Sequence, residues 1–312
     1  MSDVGELNIL RPPGQRSKPV RTTDRAVAPD RPPTAAPEAE YVPYDRTKLS
    51  YAGTFTDPLR ATVIRTMEWL TGKIRLLSLI RRFEREGVEE GQAFFTHALR
   101  VMGIRIDTPA EQIARIPATG PVVVVANHPH GLVDGMVLAE LIGRVRTDYK
   151  ILTRSLLTGV PEIGQFMIPV PFPHEEDARE RNLDMRRQAM AHLSRGGVIV
   201  LFPSGAVAAS ETWFGPAVEK EWNPFTAKMI RLSQATVVPI HFAGRNSRIY
   251  QIANLVSATL RQGLLLHEVV HALNRPQAPQ IRKAIPPEVW KARSGTATEF
   301  MAWLRERTLL GD

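Results

Sequence analysis

The sequence predicts an α/β fold: a mainly parallel sheet flanked by helices, with a helical segment before it. Residues 122–125, 198–202 and 236–242 are rich in β-branched side chains and apolar on both faces. Strands of this kind are typical of parallel sheets covered by helices. Amphipathic stretches of helical length lie between them, and this alternation indicates β–α units. The 312 residues are enough for one or two domains.

The first 50 residues carry eight of the 25 prolines and show little apolar periodicity. Such a composition cannot bury enough surface to offset the entropy of ordering, so it predicts a disordered tail. Residues 51–103 are predicted to be a helical segment, because apolar side chains recur three and four apart. The second helix of this segment is expected to end at Gly103, a suitable C-cap.

The first helix of this segment is strongly basic. Between Leu59 and Arg85 stand seven cations and two acids, with Trp69 among the apolar residues. A basic amphipathic helix fits an anionic membrane interface, but a helix that packs on the protein core shows the same apolar stripe. The sequence leaves these two interpretations open.

A third domain is predicted over residues 104–312. Its expected elements are a short strand at 104–106, the central strand at 122–125, a helix from 132, a strand at 149–152, a strand or extended loop at 166–172, a helix at 177–193, and strands at 198–202 and 236–242.

The composition favours an anionic partner, since the formal net charge is +8 and the pI is about 10.0. No RNA-binding motif, zinc-finger spacing or glycine-rich basic loop is present, so nucleic acid is not predicted. The absence of cysteine excludes disulfides and cysteine nucleophiles. With no secretory signal and no run of about 18 apolar residues, we expect a peripheral protein on the cytoplasmic face of the inner membrane.

The central strand ends in groups that can move protons. Asn127, His128, His130 and Gly131 lie in the turn before the next helix, and Asp134 follows one turn later. Ligands of open α/β sheets bind at the carboxyl ends of the strands. A carboxylate behind a histidine orients the ring for general-base catalysis. The alternative is that Asp134 only caps the helix and His128 is an ordinary turn residue.

Three motifs in order, NHPHGLVDG, LFPSG and VVPIHFAGRNS, resemble the glycerolipid and lysophospholipid acyltransferase family over residues 104–285. The spacing from His128 to Asp134 resembles the branch of putative haemolysins and lyso-ornithine-lipid acyltransferases. The residues that match the family motifs are Asn127 and His128 for the first, Phe202, Pro203 and Gly205 for the third, and Pro239 for the fourth.

The resemblance implies transfer of an acyl group from acyl-CoA or acyl-carrier protein to the hydroxyl of a lysolipid in phospholipid synthesis, without a cofactor. His128 is then the base and Asp134 its partner, with His130 as the second candidate base. The predicted substrate-binding residues are Asn127, His130, Gly131, Arg154, Phe202, Pro203, Ser204, Gly205 and Arg245. Backbone N–H groups near Gly131 or Gly205 are candidates for oxyanion stabilisation.

The third and second motifs each depart from the family pattern. Ser204 stands where the family has an acid, and the arginine that usually follows is absent. The arginine that normally closes the second motif is also missing, and Arg154 or Arg245 are the cations that remain. The altered third motif weakens the case for a phosphate-bearing acceptor such as lysophosphatidate.

Two other functions remain open. His267, Glu268 and His271 form the HEVVH pattern of zinc metallopeptidases, with Glu288 or Glu299 as a third ligand. That function leaves the other motifs unexplained, so no metal is predicted. The second alternative is a non-catalytic lipid-binding protein of the same fold. Trp213, Phe214 and Trp222 lie close together in the sequence, where contact with lipid and core packing are both plausible.

Overall fold

The computed structural model describes residues 50–54, 57–153, 160–171, 177–293 and 295–311. Nearly all of the predicted tail, and Arg154, lie outside these residues. The α-helices are α1 (Pro58–Glu68), α2 (Ile74–Glu86), α3 (Gln92–Val101), α4 (Ala110–Ile113), α5 (Leu132–Gly143), α6 (Ala178–Ser194), α7 (Pro224–Ser233), α8 (Arg248–Val256), α9 (Ala258–Gly263), α10 (Leu265–Ala272), α11 (Pro287–Lys291) and α12 (Ala297–Leu310). The strands are β1 (Val122–Ala126), β2 (Tyr149–Thr153), β3 (Met167–Pro169), β4 (Val198–Leu201), β5 (Ala209–Ser210), β6 (Ala217–Val218), β7 (Thr236–His241) and β8 (Gln280–Ile281).

A six-stranded sheet has the order β3-β2-β4-β1-β7-β8. All neighbouring pairs from β3 to β7 are parallel, and β8 runs antiparallel to β7. Val122 of β1 is in register with Val198 of β4 on one side and Thr236 of β7 on the other. The predicted parallel sheet with a central valine strand is therefore confirmed.

Helices cover both faces of the sheet. Val122 and Val124 pack into one core with α2, α3 and α5, whereas Val123 and Val125 pack into a second core with α6, α7 and α12. A fully buried valine contributes roughly 1.5–3 kcal/mol relative to an exposed one. The apolar run of β1 is thus explained by burial on both faces, and this burial fixes the position of the turn that follows.

The N-terminal helices join this core rather than standing apart. Leu76 and Phe83 of α2 and Phe94 of α3 lie in the same hydrophobic cluster as β1. A π-helical segment, Trp69–Lys73, separates α1 from α2. Helices α2 and α3, before residue 103, and the sheet after it share one hydrophobic core. The domain boundary at residue 103 stays a prediction.

Two predicted elements contain little or no strand in the structure. Residues 104–106 form no strand, because their only ladder contact is an isolated bridge from Ile106 to Gln277. Of the stretch 166–172, predicted as strand or extended loop, Met167–Pro169 form β3 after a 3-10 helix at Pro161–Phe166, and residue 172 lies outside the described residues. In the part of the chain that the structure describes, no helix has the length and apolarity required to cross a bilayer.

Candidate active site

The turn between β1 and α5 is shaped by Gly131 and Asp134. Gly131 has a φ of 73°, a conformation that strains residues with a side chain. Asp134 is the third residue of α5 and is fully buried. Its carboxylate accepts backbone N–H bonds from His130 at 2.8 Å and from Gly131 at 3.1 Å. Asp134 therefore caps α5.

The same carboxylate binds two imidazole rings. Nδ1 of His128 lies 3.0 Å from Oδ2 of Asp134, and Nδ1 of His130 lies 3.0 Å from Oδ1. A carboxylate only accepts hydrogen bonds, so each Nδ1 carries a proton and Nε2 is the acceptor of a neutral ring. No described residue forms a hydrogen bond with Nε2 of either ring. One side chain thus caps the helix and orients both histidines.

The surrounding charges raise the pKa of His130. Burial lowers the pKa of His130, but the hydrogen bond and charge of Asp134 and the charge of Glu268 outweigh this effect and raise it. Burial raises the pKa of Asp134, but hydrogen bonds from both histidines leave it lowered, so Asp134 stays ionised. His130 therefore keeps its second proton to higher pH than a free histidine. A protonated ring cannot accept a proton, so only the neutral fraction of His130 can act as a base.

His128 is held at its ring and at its backbone. Its ring stacks on Phe202, with 3.8 Å between centroids and 20° between planes. Its N–H donates to Oε2 of Glu219 at 3.2 Å, and its carbonyl accepts the N–H of Ala208 at 2.8 Å. These contacts restrict the ring to an orientation in which Nδ1 faces Asp134.

The turn after β4 brings the third motif beside the histidines. Phe202 provides the stacking ring, and its carbonyl accepts the N–H of Gly205 at 2.9 Å. Gly205 has a φ of 63°, which explains the glycine. The hydroxyl of Ser204 donates to the carbonyl of Ala206 at 3.0 Å, and Pro203 is buried. Contacts of this turn with substrate stay a prediction.

Asn127 links the ends of β1 and β7. Its side-chain amide donates to the carbonyl of Phe242 at 2.8 Å and accepts the N–H of Phe242 at 2.7 Å. Both bonds are buried, so the amide is occupied inside the protein. The substrate contact predicted for Asn127 has no counterpart among these bonds and stays a prediction.

The end of β7 lies against His130. Gly244 has a φ of 97°, and a Cβ atom there would lie 2.9 Å from Nε2 of His130, which requires glycine. Arg245 follows directly, is exposed, and makes no ion pair with the described residues. Of the two predicted cations, Arg245 is thus near the histidines, while Arg154 lies outside the described residues.

One residue of the site was not indicated by the sequence, which also suggested a different role for another. Glu219 contacts the backbone of His128 across 91 positions, and Glu268 acts on His130 through its charge. A loop carboxylate at this distance gives no periodic signal, so Glu219 could not have been found. Glu268 was noticed, but as part of the HEVVH pattern.

The HEVVH residues lie on α10, and hydrogen bonds engage Glu268 and His267. Both carboxylate oxygens of Glu268 are bound to Ser247, one to its N–H at 2.7 Å and one to its hydroxyl at 2.5 Å. Nδ1 of His267 is 3.0 Å from the carbonyl of Thr71. No three His, Asp or Glu side chains among the described residues are placed to hold a metal. The pattern is explained as a buried capping glutamate between two partly exposed histidines.

A family model described as "Acyltransferase" matches residues 65–276. Two curated proteins, each named lyso-glycine lipid O-acyltransferase, are 28% identical to the chain over 149 residues, which is 47% of this chain. They come from Phocaeicola vulgatus and Bacteroides thetaiotaomicron, and the match covers 50% and 52% of their lengths. The chain spans about half the length of the curated relatives it matches.

A solved structure is also similar: the crystal structure of the 1-acyl-sn-glycerophosphate (LPA) acyltransferase PlsC from Thermotoga maritima. The TM-score is 0.46 and the sequence identity 13%, with 83% of each chain covered.

Proposed function

The chain belongs to the acyltransferase family, whose model covers well over half of its length, and we propose that it moves a fatty acyl group from a thioester to the hydroxyl of a lysolipid. The observation that carries this proposal is the bond between His128 and the buried Asp134 at the carboxyl end of the central strand. It leaves Nε2 of His128 as the proton acceptor, which an attacking hydroxyl requires.

In the proposed reaction, Nε2 of His128 takes the proton of the acceptor hydroxyl while its oxygen attacks the thioester carbonyl. Asp134 stabilises the imidazolium that forms. The tetrahedral intermediate then collapses: the carbon–sulfur bond breaks, and His128 returns the proton to the leaving thiolate. The products are an ester and a free thiol. No metal takes part in any of these steps.

We propose acyl-CoA or an acyl-carrier protein as donor and a lysolipid of membrane lipid synthesis as acceptor. The names of the two curated relatives support an acceptor of the lyso-glycine lipid kind. Ser204 stands in place of the family's acid, which also supports an acceptor without a phosphate-bearing head group.

The purified protein should be tested with acyl-CoA and acyl-carrier protein donors against lyso-glycine lipid and lysophosphatidate. We expect diacylated product from lyso-glycine lipid at the higher rate, and accumulation of the lysolipid in a deletion strain. No acylation of either acceptor by either donor, under conditions where a known acyltransferase is active, would contradict the proposal.

Acyl transfer is expected to survive chelators, because both oxygens of Glu268 are bound to Ser247 and are not free to activate water. Metal analysis of the purified protein, with the transfer assay run in excess EDTA, checks this prediction. One zinc per chain that is lost on His267→Ala, together with loss of activity in EDTA, would instead establish the HEVVH site.

We further propose that the N-terminal helices attach the protein to the cytoplasmic face of the membrane. Trp69, Leu70 and Ile74 are exposed around the π-helical segment, and Leu70 is 81% exposed. Ile64 of the same stripe is buried in the protein, so only the exposed residues are available for contact with lipid. Of the seven cations, Lys73 is buried and so is not available to headgroups.

Replacing Arg75, Arg81 and Arg82 by glutamine is expected to weaken binding to anionic vesicles. All three are exposed, although Arg82 forms an ion pair with Glu86, with 2.7 Å between Nε and Oε1. At about 1 kcal/mol for each cation at the surface, the loss is roughly tenfold to a hundredfold and smaller at high salt. Vesicle co-sedimentation measures it.

The matched control replaces Arg179, Arg187 and Arg195 by glutamine. These exposed cations lie on or just after α6, against the opposite sheet face from α2. Equal loss in both triple variants would show that net charge, not this surface, determines binding. Unchanged sedimentation of the Arg75, Arg81 and Arg82 variant would remove the membrane role of α2.

A further inference from the structure

A β-hairpin, residues 208–219, forms a hydrogen bond to the backbone of His128 from each of its ends. At its start, the N–H of Ala208 donates to the carbonyl of His128 at 2.8 Å. At its end, Oε2 of Glu219 accepts the N–H of His128 at 3.2 Å. Oε1 of the same buried carboxylate accepts the indole N–H of Trp222 at 3.0 Å. Both ends of the hairpin are therefore fixed to the candidate base.

The tip of this hairpin is apolar and exposed. Strands β5 and β6 pair Ala209 with Val218, and the tip between them carries Trp213 and Phe214. Trp213 is 56% exposed and Phe214 is 89% exposed. Trp222, the third aromatic residue noted in the sequence, is buried. The sequence left lipid contact and core packing open for these three residues. Trp222 packs in the core, whereas Trp213 and Phe214 are exposed.

Hydrogen bonds on both sides of the tip join the hairpin to α8. The N–H of Ser210 donates to Oε1 of Gln251 at 2.6 Å, and the side chain of Asn254 donates to the carbonyl of Ser210 at 3.1 Å. Arg248 donates to the carbonyl of Gly215 at 3.2 Å from a largely exposed position. A pair of exposed aromatic rings on a hairpin bound to α8, with a cation nearby, matches a bilayer interface with anionic headgroups.

The hairpin and the N-terminal helices belong to one packed layer. Tyr250 and Ala253 of α8 share a hydrophobic cluster with Leu264, and Met67 of α1 packs against that cluster. A Cβ atom at Gly263 of α9 would lie 3.2 Å from Met67. The exposed tip is therefore linked, through α8 and α9, to α1, which precedes the π-helical segment that carries Trp69 and Leu70.

We propose that the tip, Trp213 and Phe214, inserts into the surface of the bilayer that holds the lysolipid and brings the acceptor hydroxyl to His128. This inference rests on the proposed function for its substrate, but the insertion itself does not depend on catalysis. A lysolipid keeps its acyl chain in the bilayer, and a hairpin anchored at both ends to the base fixes the height of the base above that surface.

Insertion is tested by labelling, which the chain permits because it has no cysteine. Phe214→Cys carries an environment-sensitive fluorophore at the tip, and Ser194→Cys carries it at the exposed end of α6 as the matched control. With anionic vesicles we expect a blue shift, and quenching by lipids with spin-labelled acyl chains, only for the tip label. A tip label that stays in water while the protein sediments with the vesicles would overturn the proposal.

The functional consequence is tested with Trp213→Ala/Phe214→Ala. We expect the ratio of acyl-transfer rates on vesicle-borne and on dispersed short-chain acceptors to fall about tenfold, equivalent to about 1.4 kcal/mol. The matched control, Leu183→Ala/Leu232→Ala, removes exposed apolar side chains from α6 and α7 and should leave the ratio unchanged. Thermal melts should be unchanged in both.

The outcomes separate this inference from the function on which it rests. If the wild-type chain transfers no acyl group, the proposed function fails, while the label still reports insertion. If transfer occurs but the ratio is unchanged by the tip variant, the inference fails alone. A label shift that follows protein concentration without vesicles, or that requires acyl-carrier protein, would assign the tip to self-association or to that protein and overturn the proposal.

Discussion

Replacing His128 by alanine is expected to lower kcat for acyl transfer by about 10²–10⁴, the range for a positioned general base. The ring contributes no backbone bond, since Ala208 and Glu219 bind the main chain of His128. The variant should therefore stay folded, with an unchanged circular dichroism spectrum and a small change in melting temperature from the lost stacking on Phe202. Steady-state kinetics with saturating donor and acceptor measure the effect.

His130→Ala is the matched control, because it removes the other imidazole from the same carboxylate. Asp134 and Glu268 raise the pKa of His130, so a smaller fraction of its ring is neutral near pH 7 than in a free histidine, and this variant should lose less activity than His128→Ala. A fully active His128→Ala variant beside an inactive His130→Ala variant would transfer the role of base to His130. Equal, complete loss in both would indicate that the two rings act as a unit.

The sequence predicted the scaffold well, because burial on both faces leaves a strong local signal. Four consecutive valines specify β1, and the turn with two histidines after it follows from the end of the apolar run. Family resemblance placed the turn after β4 next to it, and the stacking of Phe202 on His128 agrees with that placement.

Spacing along the chain could not show how the turn is arranged. His128 and His130 were weighed as alternatives, whereas the structure gives each one an oxygen of Asp134. Capping and orientation were likewise treated as competing roles for Asp134, although a carboxylate has enough lone pairs for both. Such sharing depends on three-dimensional direction, which sequence periodicity does not encode.

Long-range polar contacts and helix irregularities were the other limits. Glu219 reaches His128 from a loop 91 positions away. The π-helical segment rotates the residues after α1, so Lys73 becomes buried while Leu70 and Ile74 are exposed. A regular helical stripe predicted one continuous apolar face, because the pattern contains no information about where the extra residue is accommodated.

Asp134→Asn is expected to lower kcat by about 10²–10⁴ as well, through loss of charge rather than loss of the ring. Oδ2 accepts from His128 and from two backbone N–H groups, whereas Oδ1 accepts only from His130. The amide oxygen should take the first place and the amide NH2 the second. His128 then keeps its tautomer but loses the negative charge that stabilises its imidazolium, and His130 must turn its unprotonated nitrogen to the amide.

The dependence of stability on pH gives this prediction an independent measurement. In the wild type, the lowered pKa of Asp134 contributes stability above its unfolded pKa of about 3.9, which is lost as the pH falls through the folded value. The raised pKa of His130 contributes stability below about 6.5, which is lost as the pH rises through its folded value. Asp134→Asn should reduce both contributions, and NMR titration should show the pKa of His130 falling. An active variant with an unchanged His130 titration would remove Asp134 from the mechanism.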